Sequence, residues 1–156
     1  MQKVYLDNAA TTMVRQEVLD AMIPAFTTYY GNPSSLHEFA RDAGKLVDEA
    51  RVKVANAIGA KPDEIVFTGG GSESDNMVLR GVAAANKKKG KHIITSAVEH
   101  HAVLYTLQAM EREGVAELTI LPVDEYGLVT PEQVRDAIRE DTVLVSIMFA
   151  NNEVGT

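Results

Sequence analysis

A glycine-rich segment is the first place where this sequence could do chemistry. Residues 68–76 read Thr-Gly-Gly-Gly-Ser-Glu-Ser-Asp-Asn and lie between a predicted strand and a predicted helix. Glycines let the backbone approach a ligand, and the following helix offers unpaired N–H groups and a positive dipole end. Ser72 adds a hydroxyl donor, which suits a phosphate group. The segment is neither a Walker A loop nor a dinucleotide fingerprint, and a flexible glycine loop with a capping serine explains it equally well.

A pair of histidines is the second candidate. Glu99, His100 and His101 follow a strand-like run. A histidine there can stack on a flat heteroaromatic ring or transfer protons near neutral pH. A helix-capping cluster or a surface histidine pair are the plainer explanations. A zinc site is a rival interpretation, although adjacent histidines point apart and the HExxH spacing is absent.

Two asparagines form the third candidate. Residues 151–156 read Asn-Asn-Glu-Val-Gly-Thr and follow an apolar run. An asparagine amide donates a hydrogen bond to a phenolate-like oxygen without adding charge. Since Asn and Gly are also turn residues, an ordinary turn explains this segment too.

Two further segments connect secondary-structure elements and are more polar than such a connection requires. Residues 6–12 read Leu-Asp-Asn-Ala-Ala-Thr-Thr, and residues 31–37 read Gly-Asn-Pro-Ser-Ser-Leu-His. Each also has an explanation as a turn or a helix cap.

The elements that must position these residues are strands and helices that alternate along the chain. Apolar spacing predicts helices over 14–30, from Ser34 or Ser35 to Gly59, over 75–88, over 101–113 and from Thr130 onward. It predicts strands over 4–6, 64–68, 92–95, 118–121 and 143–149, the last buried on both faces. This alternation indicates an α/β fold, a mostly parallel sheet with flanking helices. Ligands in such folds gather at the carboxyl ends of the strands, where the candidate segments lie.

The composition is that of a soluble globular domain. The chain has 156 residues, 46% of them hydrophobic, a formal net charge of -7 and no cysteine. The acidic balance argues against nucleic-acid binding, and the missing cysteines exclude disulfides and thiolate metal sites within these residues. Because there is neither a signal-peptide pattern nor an apolar run long enough for a membrane span, we expect a cytoplasmic protein without membrane contact.

The five polar segments, in their order along the chain, resemble those of the cysteine desulfurases. That family belongs to the class V aminotransferase group of fold-type I pyridoxal-phosphate enzymes. The resemblance extends from the first strand-like run to the last residue. It implies that residues 1–156 are the N-terminal part of a cofactor-binding large domain, with 1–13 as an N-terminal segment and the C-terminal remainder absent.

The resemblance also implies a role for individual residues. Gly71 and Ser72 would bind the phosphate of pyridoxal 5'-phosphate, His100 would stack on the ring and take part in proton transfer, and Asn152 would hydrogen-bond the phenolic oxygen. Asn8, Asn32 and His37 are expected near the substrate. The sequence departs from the family pattern at residue 69, where glycine replaces a common serine.

The implied reaction converts L-cysteine to L-alanine and leaves an enzyme persulfide. The sulfur would pass to an acceptor or an iron–sulfur scaffold protein for cluster or thio-cofactor assembly, and the full-length enzyme would be a homodimer. In the family the lysine that anchors the cofactor, the aspartate that pairs with the ring nitrogen and the cysteine nucleophile all lie beyond residue 156. We therefore expect this chain alone to be inactive, and to associate with another chain or be marginally stable.

Three alternatives remain at this point. The first is a selenocysteine lyase or another class V enzyme, because these motifs do not separate substrates. The second is a non-catalytic fragment that acts only by association with another chain. The third is a zinc- or nucleotide-binding domain built on the histidine pair and the glycine-rich segment.

Overall fold

The chain forms two compact units, Met1–Phe67 and Thr68–Thr156. This computed structural model describes residues 3–156. Within them the first unit contains helices and the second contains helices around a parallel sheet. The predicted α/β class is confirmed. No helix among the described residues is both long and apolar enough to cross a membrane.

Two helices make up most of the first unit. Helix α1 spans Gln16–Thr27 and α2 spans Glu38–Ile58, followed by a 3₁₀ turn at Pro62–Glu64. Helix α2 ends at Gly59, which has a φ of 70°, a left-handed conformation that glycine adopts without a Cβ clash. The predicted end of this helix is therefore confirmed. Its start is not, because His37 rather than Ser34 or Ser35 is the N-cap.

Neither strand predicted in the first unit forms. Residues 4–6 are exposed and pair with no strand in the part of the chain that the structure describes. At 64–68 the chain instead begins with the 3₁₀ turn, since Pro62 starts it and the Glu64 carboxylate accepts the Lys61 N–H at 2.7 Å. The Arg51 guanidinium then donates to the carbonyl of Ile65 and lies 5.0 Å from the centre of the Phe67 ring. A helix side chain thus binds this segment in place of a neighbouring strand.

The second unit is a parallel sheet with connecting helices. Its elements are α3 (Gly71–Asn86), β1 (His92–Ser96), α4 (His101–Arg112), β2 (Glu117–Leu121), α5 (Pro131–Ala137) and β3 (Thr142–Ser146). The strand order is β2-β1-β3, and both pairings are parallel. The sheet, the helix at 101–112 and the Thr130 capping box at the start of α5 agree with the sequence predictions. The carboxyl ends of the three strands therefore share one edge.

The core of this unit lies between the sheet and helices α3 and α4. All five residues of β1 are buried, as expected for the central strand. The core side chains are Leu79, Ala83, Ile93, Val103, Leu107, Met110 and Ala116, with Leu118, Val143 and Leu144 packed against them. Close approach at the amino edge requires Gly90, because a Cβ there would lie 2.1 Å from the Asp141 carbonyl oxygen.

Two boundaries in the second unit differ from the predictions. Helix α3 begins at Gly71 and not near Asp75, because Glu73 accepts the Gly69 N–H at 2.6 Å and closes the first turn. Strand β3 ends at Ser146, and the side chain of Phe149 is fully exposed. The prediction of a strand over 143–149 buried on both faces is therefore wrong. No residue of β3 is fully buried, and the strand stops short of Phe149 because the Met148 N–H donates to the Glu99 carboxylate and not to a neighbouring strand.

Candidate functional site

A cleft of about 270 Å³ lies at the carboxyl edge of the sheet. Residues 98–101, between β1 and α4, form one wall, and residues 151–154, which follow β3, form the other. The parallel topology causes this meeting, since segments leaving neighbouring parallel strands emerge at the same edge. His100 and Asn152, which were selected separately from the sequence, line the same cleft.

His100 is the N-cap of α4. Its backbone is extended (φ -57°, ψ 145°), and its Nδ1 accepts the Ala102 N–H at 3.1 Å. A nitrogen that accepts a hydrogen bond carries no proton, so the neutral ring carries its proton on Nε2. His100 therefore offers a ring face and an Nε2–H to anything that enters the cleft.

His101 is engaged differently. Its ring stacks on Tyr105, one helical turn later, with ring centres 4.5 Å apart and planes at 6°. Among the described residues no group of three or more His, Cys, Asp or Glu side chains could hold a metal ion. Of the two histidines, His100 is the one on which a cofactor role can be argued.

Asn151 and Asn152 have separate surroundings. Asn151 donates from Nδ2 to the Val98 carbonyl at 2.8 Å, and its Oδ1 accepts the N–H groups of Glu153 and Val154 at 2.8 and 3.0 Å. The side chain of Asn152 is exposed and has no hydrogen-bond partner within residues 3–156. The turn expected for this segment is therefore present, and Asn151 makes it. The amide of Asn152 is left available for a ligand.

The glycine-rich segment forms the amino end of α3. The first helical hydrogen bond runs from the Ser74 N–H to the Gly70 carbonyl at 3.1 Å, so the N–H groups of Gly71, Ser72 and Glu73 have no helical acceptor. The hydroxyl of Ser72 has no partner in the described part of the chain. Unpaired N–H groups, a free hydroxyl and the positive helix end form the donor set that a phosphate requires. Gly71 and Ser72 do not line the cleft of His100 and Asn152.

The loop before α3 is held from within. The hydroxyls of Thr68 and Ser74 lie 2.7 Å apart, so one donates to the other, and the remaining hydroxyl proton is within reach of the Gly70 carbonyl, which lies 3.1 Å from Thr68 Oγ1 and 3.3 Å from Ser74 Oγ. Together with the bond from the Gly69 N–H to Glu73, these contacts order a segment whose glycines suggested flexibility. Glu73 was not identified from the sequence, although a Glu at the third helical position is a known capping signal.

Three candidate residues lie in the first unit. Asn8 is exposed. Asn32 accepts the Ser34 N–H on Oδ1 at 2.9 Å, which makes a local turn. His37 is the N-cap of α2, and its ring centre lies 6.3 Å from that of Phe39. Their placement near a substrate stays a prediction.

Glu99 belongs to the Glu-His-His segment, but the sequence predicts no role for its side chain. Its side chain is buried, and its Oε1 accepts both the Ser96 hydroxyl at 2.8 Å and the Met148 N–H at 2.6 Å. A carboxylate directly after an apolar strand was the signal that could have found it, since such a group must find internal donors.

Shifted pKa values in the second unit lie at the opposite edge of the sheet. Burial lowers the pKa of His92, which begins β1. Hydrogen bonds from Arg139 lower the pKa values of Glu117 and Asp141. These groups surround the amino ends of the strands.

Comparison with known proteins gives a consistent result. The family model described as aminotransferase class-V matches residues 4–156. The cysteine desulfurase IscS of Methanosarcina thermophila is 56% identical over 153 residues, which are 98% of this chain and 38% of the relative. This chain thus spans about two fifths of the length of such relatives.

Solved structures agree. The structure of a NifS-like protein superimposes with a TM-score of 0.94 at 44% identity, over 99% of this chain and 42% of that one. The structure of SspA in complex with cysteine superimposes with a TM-score of 0.86 at 40% identity, over 93% of this chain and 42% of that one.

Proposed function

The chain belongs to the aminotransferase class-V family, and from this membership we propose that it forms the cofactor-cradling part of a pyridoxal-phosphate-dependent cysteine desulfurase. The reaction replaces the carbon–sulfur bond of L-cysteine with a carbon–hydrogen bond, which gives L-alanine. The sulfur joins an enzyme thiol as a persulfide. The observation that carries the proposal is that His100 and Asn152 line one cleft at the carboxyl edge of the sheet.

The donor set fits pyridoxal 5'-phosphate. The unpaired N–H groups of Gly71 and Ser72, with the Ser72 hydroxyl, would hold the phosphate. The Asn152 amide would donate to the phenolic oxygen, and the ring face of His100 would cover the pyridine ring. When bound, this cofactor supplies an electron sink for bond changes at the amino-acid substrate.

The N-cap bond of His100 decides where this residue can handle a proton. Nδ1 is occupied by the Ala102 N–H, so Nε2 is the atom that would hold or release a proton next to the ligand. The cap also holds the ring at the start of α4. Proton transfer at this position therefore needs no rearrangement of the helix.

The relatives support cysteine as the substrate. Curated relatives that are 54–56% identical to this chain are named cysteine desulfurases, and the similar structure of SspA is a complex with cysteine. No observation on the described residues favours selenocysteine. Delivery of the sulfur to an acceptor or iron–sulfur scaffold protein, the homodimer, the cytoplasmic location and the roles of Asn8, Asn32 and His37 belong to the same proposal.

Three ligands test the two halves of the proposed site. We expect Ser72→Ala to weaken binding of inorganic phosphate and pyridoxal phosphate by about tenfold, and to leave binding of unphosphorylated pyridoxal unchanged. We expect Asn152→Ala to weaken pyridoxal and pyridoxal phosphate by a similar factor, and to leave phosphate unchanged. Absorption titrations measure the two pyridoxal ligands, and calorimetry measures phosphate. Each variant is the control for the other.

The proposal is abandoned if the wild-type chain binds no pyridoxal phosphate. Equal loss of all three ligands in both variants would also contradict it, because general misfolding would then explain the result.

A second experiment addresses covalent chemistry. The 156 residues include no cysteine, so the thiol that receives the sulfur is not among them, and no lysine of the chain lies in a motif of the family's anchor. We expect reversible cofactor binding without conversion of L-cysteine to L-alanine. Borohydride treatment followed by peptide mapping checks this expectation. A reduced adduct on a single lysine would contradict it.

A further inference from the structure

The two walls of the cleft are joined by a pair of hydrogen bonds. The Met148 N–H, which precedes the 151–154 wall, donates to Glu99 Oε1 at 2.6 Å. The Asn151 amide, on that wall, donates to the Val98 carbonyl at 2.8 Å. Each bond crosses from the segment after β3 to the segment after β1. We call this pair of bonds the wall clamp.

The Glu99 end of the wall clamp is rigid. Glu99 is only 8% exposed, and the same Oε1 also accepts the Ser96 hydroxyl at 2.8 Å. Ser96 is the last residue of β1, so the carboxylate is anchored to the central strand. A buried carboxylate without such donors would be strongly unfavourable, which explains why both donors converge on it.

The Asn151 end is equally constrained. While Nδ2 holds the opposite wall, Oδ1 accepts the N–H groups of Glu153 and Val154. Those two bonds wrap the backbone around Asn152, which lies between Asn151 and Glu153. The amide of Asn151 therefore shapes its own wall and attaches it to the other.

We propose that Glu99 and Asn151 are positioning residues that set the spacing between His100 and Asn152 across the cleft. Each adjoins in sequence the residue that it positions. Because neighbouring residues share a peptide plane, holding one side chain restricts the backbone of the next. That pyridoxal phosphate is the ligand of the cleft rests on the proposed function. The wall clamp itself consists only of hydrogen bonds within the chain.

The two hydrogen bonds require one acceptor oxygen in the side chain of residue 99. Both donors reach one oxygen, Oε1, so the amide oxygen of a glutamine can accept the same two bonds. What positioning requires is this acceptor at this place, and not the negative charge. Glu99→Gln should therefore retain the spacing of the walls, and Glu99→Ala should lose it.

A control lies on α4, near the end of the helix that is away from the cleft. Glu111 Oε1 accepts the Leu118 N–H at 3.1 Å, which is also a bond from the backbone of another segment in the same unit to a carboxylate. Glu111 is exposed, so Glu111→Ala removes a carboxylate acceptor outside the cleft without uncovering a buried group.

The experiment compares Glu99→Ala, Glu99→Gln and Glu111→Ala with wild-type chain. Absorption and calorimetric titrations measure the dissociation constants of pyridoxal phosphate and inorganic phosphate. We expect Glu99→Ala to bind pyridoxal phosphate about tenfold more weakly while binding phosphate equally well. Glu99→Gln should bind both ligands within about twofold of wild type, as should Glu111→Ala.

A readout without any ligand accompanies the titrations. Nuclear magnetic resonance follows hydrogen exchange of the Met148 amide and the side-chain amide resonance of Asn152. We expect Glu99→Ala to accelerate the exchange by about tenfold or more and to move the Asn152 resonance. Glu99→Gln and Glu111→Ala should change neither.

The outcomes separate the two proposals. Loss of cofactor affinity in Glu99→Gln equal to that in Glu99→Ala overturns the positioning role, since charge would then matter. An equal loss of pyridoxal phosphate affinity in Glu111→Ala, or a loss of phosphate binding in Glu99→Ala, also overturns the positioning role. A general loss of structure would then explain the result. If wild-type chain binds no pyridoxal phosphate, the proposed function fails. The wall clamp is then supported if the hydrogen exchange of the Met148 amide accelerates only in Glu99→Ala. Any other pattern of exchange among the three variants contradicts it.

Discussion

His100 has an observed role as the N-cap of α4 and a proposed role in ligand binding, and the two are chemically separable. Its Nδ1 caps α4 through the Ala102 N–H, and its ring face and Nε2 remain for a ligand. The capping role is purely that of a hydrogen-bond acceptor, which an asparagine side chain also provides. The ligand role needs an aromatic ring that can exchange a proton.

Two substitutions at residue 100 distinguish these roles. We expect His100→Ala to lower the free energy of unfolding by about 1 kcal/mol because the cap is lost, and His100→Asn to lower it by much less. Both should weaken pyridoxal binding, since neither retains the ring. Urea unfolding measures the first quantity and absorption titration the second. Full pyridoxal affinity in His100→Asn would contradict the proposed stacking role.

At the scale of elements, a polar contact joins the two helices whose amino ends carry the candidate site. Asn76 on α3 accepts the Thr106 hydroxyl of α4 at 3.1 Å, and its Nδ2 donates to the Ser72 carbonyl at 2.9 Å. Thr106 is 8% exposed, so its hydroxyl depends on this partner. The contact links the helix of the glycine-rich segment to the helix that His100 caps.

Asn86 on the same helix provides a comparison for this contact. It makes the equivalent bond to the Val82 carbonyl at 2.9 Å but no bond to another helix among the described residues. We expect Asn76→Ala to lower the free energy of unfolding by about 1–2 kcal/mol more than Asn86→Ala, because only the former leaves a buried hydroxyl without its partner. Urea denaturation of the two variants checks the difference. Equal losses would mean that the contact between the helices contributes nothing.

In the second unit as a whole, the two ends of the parallel sheet differ in their chemistry. The cleft lies at the carboxyl edge. At the amino edge, His92 is almost fully buried and bonds the Thr142 hydroxyl at 2.7 Å and the Thr119 hydroxyl at 2.8 Å. Its ring therefore links all three strands. Arg139 pairs with Glu117 and Asp141, and Lys91 also pairs with Glu117, which covers this edge with charge.

The state of His92 makes stability depend on pH. Burial lowers its pKa below the ordinary value of 6.5, and Arg139 lowers it further, whereas Asp141 and Glu117 oppose the change. Because the unfolded chain binds this proton more readily, the stabilising contribution is complete above pH 6.5 and is lost as the pH falls through the folded pKa. Glu117 and Asp141, whose pKa values Arg139 lowers, lose their contributions only at more acidic pH.

We therefore expect the free energy of unfolding to fall as the pH is lowered below about 6.5, by at most about 1.4 kcal/mol per pH unit from this group. His92→Leu should be less stable at pH 8 but should show a smaller fall. Urea unfolding at several pH values measures both chains, and a resonance titration locates the pKa of His92. An identical pH dependence in the two chains would exclude His92 as the cause.

The local signals of the second unit were sufficient to predict most of its elements. Thr130 and Gln133 form the expected capping box, and Gly114 follows α4 with a φ of 71°. These signals act between residues a few positions apart, so they can be read without knowledge of the fold. The strands predicted at 4–6 and 64–68 failed because an apolar run becomes a strand only where a neighbouring strand accepts its hydrogen bonds.

The α/β class, the order of the elements and the motifs that indicate the family could all be predicted from the sequence. So could the order in which polar segments follow strands. The three-dimensional arrangement alone shows that the Asn151 side chain makes a structural bond while the Asn152 side chain is exposed, and that Glu99 joins the end of β1 to the segment after β3. The reason is distance along the chain: Glu99 meets Met148 across 49 positions and Asn151 meets Val98 across 53. Contacts of that separation arise when parallel strands bring their carboxyl ends to one edge, and no local pattern encodes them.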